Sequence, residues 1–215
     1  MLERVEYRVA RTAAAREEIF QLRYRGYTKN GVIKANESGR FSDSWDDVSN
    51  ALLLGVYLGG ALASTVRIHV SSPGLGDAPA FEPFADVLTP LAEAGQRFID
   101  PTRFVIDEDF ARAGPEMPFL TLRLTCMAAE HFDACGILAT VRQNHAAIYK
   151  RVCGHRAISE ARTYPLLRKP IVCMLAETDT IRRLTYSRHP FLVSTEEERS
   201  RLFGPVSKDA SATVH

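Results

Sequence analysis

A chain of 215 residues with 46% hydrophobic and 25% charged residues has the make-up of a globular protein that buries its own core, and it needs no disulfide or metal staple to do so. Its 27 lysines and arginines against 26 aspartates and glutamates leave a net charge of +1, which excludes a global field for nucleic acid or membrane but not a local basic patch. The longest apolar run, Ala51 to Ala63, is broken by Gly59-Gly60 and too short to span a bilayer, and because Met1-Leu2-Glu3-Arg4 leads into no apolar core, a secretory signal is not expected.

Val5, Tyr7 and Val9 alternate with polar residues and predict a short half-buried strand. Thr12 then caps a helix in which Ile19, Phe20, Arg23 and Tyr27 recur at helical spacing, and Asn30-Gly31 ends it. Residues 34–50 are polar and turn-rich, a loop with one helical turn. Ala51 to Leu58 and Ala61 to Val70 are β-rich and joined by two glycines, the composition of a tight hairpin whose turn needs positive φ. Pro83 to Glu93 reads as a helix. Arg97 to Ile106 is a strand in which Pro101 predicts irregularity or one unpaired side, with a bulge as the preferred reading.

Pro118 opens a helix carrying Phe119, Leu122, Cys126, Ala129 and Phe132, with Gly136 as its stop. Ile137 to Val141 is a strand, and Asn144 caps a helix that Gly154 terminates. His155 to Tyr164 and Pro170 to Glu177 are the last strands, and Thr195-x-x-Glu198 is a capping box on a terminal helix. The expected organisation is one domain over residues 1–204 and a flexible tail over 205–215. The fold class is α+β, with a mixed, mostly antiparallel sheet of about seven strands and helices on both faces. No Gly-rich dinucleotide or P-loop motif occurs, which disfavours nucleotide binding.

The six histidines and four cysteines show no metal-ligand spacing, so no metal is expected. Cys126, Cys135, Cys153 and Cys173 form no C-x-x-C pair and read as reduced thiols, which points to the cytoplasm. No G-x-S-x-G elbow is present. What stands out is charge on segments that otherwise look buried: Arg23 on the Phe20/Tyr27 helix face, Arg67 between Val66 and Ile68, Asp100 and Arg103 around Pro101, and Asp43 and Asp46 flanking Trp45, the single tryptophan. Buried ions cost several kcal/mol unless paired, so such residues partner one another or a ligand. Each has an ordinary alternative. Arg67 fits an open solvated sheet face, Asp100 and Arg103 fit a structural pair, and Asp43 and Asp46 fit turn and cap positions.

These residues, in this order, resemble the bacterial N-acyl amino acid synthases and their relatives, the acyl-homoserine lactone (autoinducer) synthases, of GCN5-related N-acetyltransferase fold. The resemblance runs over residues 5–177. It rests on Arg23 and Tyr27, on Asp43-Ser44-Trp45-Asp46, on Arg67, on Asp100-Pro101-Thr102-Arg103-Phe104, on Phe84-Ala85-Asp86-Val87-Leu88, and on Asn144-His145 to Tyr149 with Gly154. The family's usual glutamate is an aspartate here, Asp100, and Pro101 and Thr102 also depart from its pattern. Ala113-Gly114-Pro115-Glu116 lacks the Q/R-x-x-G-x-G/A loop with which CoA-dependent acetyltransferases hold a diphosphate.

The resemblance implies an N-acyltransferase that moves a long-chain fatty acyl group from an acyl carrier protein thioester to the amine of an amino acid or similar small amine. No tightly bound cofactor is implied; the acyl-phosphopantetheine thioester, on carrier protein or CoA, is the donor substrate. Asp100 would be the base or would orient a water, and Arg103 would hold Asp100 or the acceptor carboxylate. Arg23, Tyr27, Asp43, Trp45, Asp46, Arg67 and Phe104 would line the substrate site, with the acyl chain between helix 118–134 and the sheet. Arg142, Lys150, Arg151 and Arg156, with Arg182, Arg183 and Arg188 further on, would dock an acidic carrier protein. The alternatives are an autoinducer synthase using S-adenosylmethionine, a CoA-dependent N-acetyltransferase, and a non-catalytic acyl or carrier-protein binder.

Overall fold

The computed structural model describes residues 4–163 and 169–204; the tail expected over 205–215 and the Tyr164 end of a predicted strand lie outside them. Seven strands, β1 Val5–Val9, β2 Ala51–Leu58, β3 Ala61–Ser71, β4 Phe98–Ile106, β5 Gly136–Arg142, β6 Arg156–Ala157 and β7 Ile171–Glu177, form one sheet in the order β1-β2-β3-β4-β5-β7-β6. Every neighbouring pair is antiparallel except β4 and β5. In the β2–β3 turn Gly59 and Gly60 adopt φ of 59° and 85°, the left-handed pair that a two-residue hairpin requires.

Strand alternation distributes the helices. Leu53 and Tyr57 of β2 pack with Ile19, Phe20 and Leu22 of α1 (Ala13–Lys29) on one face. Leu54 and Val56 pack with Leu120 and Leu124 of α4 (Met117–His131) on the other. The α1 face continues under α2 (Phe81–Glu93), whose Phe81, Phe84 and Leu88 meet Phe98, Leu138 and Cys173. On the α4 face, Ala139, Val141, Val172 and Met174 are covered from α5 (Ala146–Cys153), with Ala146 against them. Gly26 lets α1 approach β4 closely: a Cβ there would stand 2.5 Å from Val105 Cγ1.

The feature that makes a site possible is the parting of β4 from β5. Their parallel ladder holds only Phe98 opposite Gly136 and Ile99 opposite Ile137. The Arg97 carbonyl accepts from Cys135 N–H at 2.8 Å, so by alternation Ile99 and Pro101 turn the same way, and Pro101 has no N–H to continue the ladder. Two residues later β4 bulges: Thr102 faces Arg67 and Val105 faces Thr65 in the register, which sets two residues, Arg103 and Phe104, against one, Val66. Arg103 takes φ 55°. Of the outcomes expected of Pro101, the unpaired side occurs, toward β5, whereas the bulge falls not at Pro101, which pairs regularly with Ile68, but at Arg103 and Phe104.

Several boundaries differ from the sequence reading. α4 ends at His131, with Phe132 as its C-cap and Asp133 at φ 50°. Gly136 instead starts β5, where a Cβ would lie 2.6 Å from the Ala176 carbonyl oxygen. A 3-10 turn over Gln143–His145 leads into α5 without a side-chain cap from Asn144. The predicted strand from His155 is two residues long, β6, followed by a single bridge between Arg162 and Ile171. Short helices unforeseen from the sequence are α3 (Glu108–Ala113) and the run from α6 (Thr178–Thr180) through a π-helical turn, Ile181–Thr185, to α7 (Tyr186–Arg188). The terminal α8 (Glu196–Phe203) carries the expected Thr195/Glu198 capping box.

Candidate active site

Three arginines and two aspartates from α1, the 34–50 loop, β3 and the β4 bulge meet on the α1 face. Arg23 Nη1 donates to Asp46 Oδ1 at 2.7 Å, and Arg67 Nη1 to the same oxygen at 3.0 Å and to Asp43 Oδ1 at 2.5 Å. Arg103 closes the chain, its Nε and Nη2 donating to Asp43 Oδ2 at 2.9 and 2.6 Å. The loop is pre-shaped for this. Asp43 and Asp46 cap the 3-10 turn Ser44–Asp46 reciprocally, Asp43 Oδ1 accepting from Trp45 N–H and Asp46 Oδ2 from Asp43 N–H.

The cluster is graded from interior to surface. The side chains of Arg23, Asp46 and Arg67 are 0%, 0% and 1% exposed, those of Asp43 and Arg103 22% and 32%. Arg23, Asp46 and Arg67 therefore do not present themselves to a ligand; they hold Asp43, which holds Arg103. Burial works against the Asp43 carboxylate, but the Arg67 and Arg103 guanidiniums keep it below the usual carboxylate range. Burial likewise opposes the Arg103 charge, while Tyr27 and Asp43 strengthen it. The Arg103 guanidinium lies over the rings of Tyr27 and Phe41, 5.9 and 5.0 Å from their centroids. Phe41 was not singled out from the sequence; it sits in a polar loop with no periodicity to mark it.

Asp100 and Arg103, three residues apart, do not pair, because the bulge turns Arg103 toward Asp43. Asp100 is fully buried beneath the start of α2 and its Oδ2 accepts from Ala80 N–H at 2.9 Å. Burial raises its carboxyl to about 6 against the opposing pull of that N–H and of Arg67. Its Oδ1 has no partner, nor has Nδ1 of His69, which stands opposite it on β3. His69 Nε2 lies 3.0 Å from the Trp45 carbonyl, and Trp45 Nε1 donates to Glu82 of α2 at 3.0 Å. Trp45 thus fastens the loop to α2.

Across the sheet lies an apolar cavity of about 320 Å³ walled by β4, β5, α4 and α5, with Pro101, Phe104, Phe119, Leu122, Ile137 and Val152 among its lining. Val66, Pro101 and Phe104 on this wall alternate in sequence with Arg67, Thr102 and Arg103 in the charged cluster, so the parted strands put an apolar channel and an ion-pair site back to back. Phe104, Ile148 and Tyr149 are 47%, 56% and 37% exposed at the rim.

The basic residues divide. Arg142, Lys150 and Arg151 are exposed and have no ion-pair partner among the described residues, and Arg188 Nη1 reaches the Arg151 carbonyl at 3.3 Å. Arg156 leaves the proposed docking set: it pairs with Glu177 at 2.9 Å and stands opposite Leu175, four residues along β7 from the end that pairs with Arg142. Arg182 is also committed, to Glu130 and Asp179. The turn before α4 opposes an anion. Glu116 places an acid at its start, and Pro118 removes one N–H from its first turn. Among the described residues no group of three His, Cys, Asp or Glu could hold a metal ion, and no described helix is long and apolar enough to cross a membrane.

A family model described as N-acyl amino acid synthase FeeM matches residues 18–177. No curated protein matches the chain in sequence. Among solved structures it is similar to FeeM, an N-acyl amino acid synthase from uncultured soil microbes, at 16% identity over 85% of this chain and 95% of that one, with a TM-score of 0.69. It is similar to MesI, a CoA-dependent acyl-homoserine lactone synthase, at 18% identity over 89% and 97% of the two chains, with a TM-score of 0.63. An acyl-CoA N-acyltransferase from Pseudomonas aeruginosa shares 18% identity over 80% and 97%, with a TM-score of 0.53. At such identities the structural likeness bears on the fold, which is the acyltransferase fold expected from the sequence.

Proposed function

The chain belongs to the N-acyl amino acid synthase FeeM family and is an N-acyltransferase, and from that premise we propose that it moves a long-chain fatty acyl group from an acyl carrier protein thioester to the amine of an amino acid. The supporting observation is the apolar cavity that backs, through the parted β4 and β5, onto the Arg103–Asp43 edge of the ion-pair cluster. The acyl chain lies in the cavity and the acceptor on the opposite face. Arg103 binds the acceptor carboxylate as a charge-assisted pair, with Tyr27 and Phe41 around it.

The neutral amine attacks the thioester carbon. A C–N bond forms, the C–S bond breaks, and the thiol leaves with a proton as the amine gives one up. The N–H groups of the bulge, at Arg103 and Phe104, stabilise the oxyanion of the tetrahedral intermediate. Asp100, held near a pKa of about 6, suits a general base close to neutral pH. Because its carboxylate is buried, it acts through an intervening water at its unpartnered Oδ1, with Oδ2 fixed by Ala80.

Arg142, Lys150 and Arg151 beside the rim suit an acidic carrier protein, and the acidic, proline-containing start of α4 is a poor diphosphate site. A cytoplasmic location goes with this donor and with four free cysteines. Similarity to CoA-dependent acyl-homoserine lactone synthases makes acyl-CoA the second donor to assay. The test is mass spectrometry of organic extracts from a bacterial host expressing wild type or Asp100→Ala. N-acyl amino acids formed only with wild type are expected. Acyl-homoserine lactones in their place would refute the acceptor, and no product in extracts or with purified carrier-linked donors would refute the reaction.

A further inference from the structure

The cavity is apolar, and its polar side chains are nearly all accounted for. Thr121 Oγ1 donates to the Met117 carbonyl at 3.1 Å and shares a 2.6 Å contact with Ser64, and Thr125 Oγ1 donates to the Leu122 carbonyl at 2.8 Å. Two lining groups remain without a partner, the Thr140 hydroxyl and the His155 ring. Thr140 shares its strand face with Leu138, which packs toward α2, while Ala139 and Val141 face α5. His155 follows Gly154, whose φ of 70° turns the chain back from α5. It is 4% exposed, and its ring stands edge-on to Tyr149 with centroids 5.6 Å apart.

Burial lowers the His155 imidazole to about 4, so it is neutral. A neutral ring has one N–H and one bare nitrogen. The carbonyls of Tyr149 and Ile137 lie near enough to favour a ring N–H, but neither ring nitrogen has a hydrogen-bond partner, so whichever nitrogen carries the proton, the other is a bare acceptor without a donor. Desolvating such an acceptor in an apolar cavity is costly unless something donates to it. A methylene chain cannot, a ketone cannot, and a hydroxyl can.

Resting on the reading that this cavity holds the acyl chain, we infer that His155 selects acyl chains carrying a hydroxyl group, which donates to its bare ring nitrogen. The position along the chain follows from the sheet. His155 lies beside Ile137, the last β5 residue paired with β4, whereas the reacting carbonyl belongs at the bulge four residues beyond Ile99. That distance is about 13 Å at the usual rise of a strand. The hydroxyl is therefore well along the chain, not beside the thioester.

The test compares kcat/KM for carrier-linked chains of one length, unsubstituted, 3-hydroxy or hydroxylated mid-chain, in wild type, His155→Phe and Thr140→Val. Taking ratios within each protein cancels any loss of folded enzyme. Wild type and Thr140→Val should favour the mid-chain hydroxyl about three- to tenfold over the unsubstituted chain, and His155→Phe should bring that ratio to one or below. A wild-type ratio of one, or a preference that Thr140→Val abolishes and His155→Phe keeps, overturns the inference. Equal transfer of all chains would do so while leaving acyl transfer intact. Conversely, calorimetry showing His155-dependent preference for the hydroxylated free fatty acid, in a protein that transfers nothing, would sustain the channel assignment and refute the transfer.

Discussion

Neutralising Asp46 tests the charged cluster most directly. Its Oδ1 lies 2.7 Å from Arg23 Nη1 and 3.0 Å from Arg67 Nη1, with all three side chains at most 1% exposed. Asp46→Asn keeps the shape and an acceptor but leaves the buried Arg23 guanidinium without a carboxylate and Arg67 with Asp43 alone, at 2.5 Å. Removing one partner from a buried ion pair costs about 3–5 kcal/mol, a large share of the roughly 5–15 kcal/mol that holds a domain together. Arg23→Met should cost less than half as much. Arg23 uses one of its nitrogens, its Nε and Nη2 are buried without partners, and burial opposes its charge; Asp46 keeps Arg67 when it is gone. The double variant should cost less than the sum, because without Arg23 the loss of Asp46 strands no arginine, Arg67 keeping Asp43. Urea unfolding at pH 7, with the slope checked for constancy, measures all three. An Asp46→Asn variant within about 1 kcal/mol of wild type, or an Arg23→Met variant less stable than it, would refute the reasoning from pair geometry.

Asp100 binds a proton more tightly folded than unfolded, so its stabilising protonated form is complete at low pH and is lost as pH rises through about 6. Raising it from its ordinary 3.8 to about 6 corresponds to about 3 kcal/mol; stability relative to Asp100→Asn should fall by about that much between pH 3 and pH 7, and a flat difference would refute the burial. At Arg103, φ 55° makes Gly better than Ala by about 1 kcal/mol although both delete the guanidinium, and chemical denaturation of the two variants measures the difference. Reversing Lys150 and Arg151 to Glu should raise KM for carrier-linked donor at least tenfold at low salt, with the gap closing as ionic strength rises; unchanged kinetics would count against this face as the dock.

The parts of this site legible in the sequence were those where a charge interrupts an apolar pattern. Arg23 on the Phe20 helix face and Arg67 between Val66 and Ile68 announced buried ions in need of partners, and Asp43 and Asp46 in a polar loop were the carboxylates available. The pairing itself was not legible. Asp100 and Arg103 look like partners at three residues' spacing, but that spacing holds only if β4 is regular, and one residue at positive φ reassigns Arg103 to Asp43, 60 positions away in the chain. The helical run after β7 is not legible in the sequence because its π-helical turn, Ile181–Thr185, breaks the 3.6-residue repeat that marks a helix. His155 had no signal: in the sequence it is only the first residue of an expected strand, and nothing there marks the cavity around it.

Pro101 and Arg103 together explain why cavity and cluster share one strand. Pro101 withholds the N–H that would extend the β4–β5 ladder past Ile99, so the strands part and the α4 face gains a channel. Arg103, two residues on, breaks the register with β3 and turns its guanidinium to the α1 face, while Phe104 remains on the channel wall. A regular strand here would close the channel against β5 and would also carry Arg103 away from Asp43. The departure of Pro101 from the family pattern is therefore compatible with the site: a residue that cannot donate is placed where the fold requires the ladder to stop. The cost is backbone strain at Arg103, about 1–2 kcal/mol, which the two hydrogen bonds to Asp43 offset.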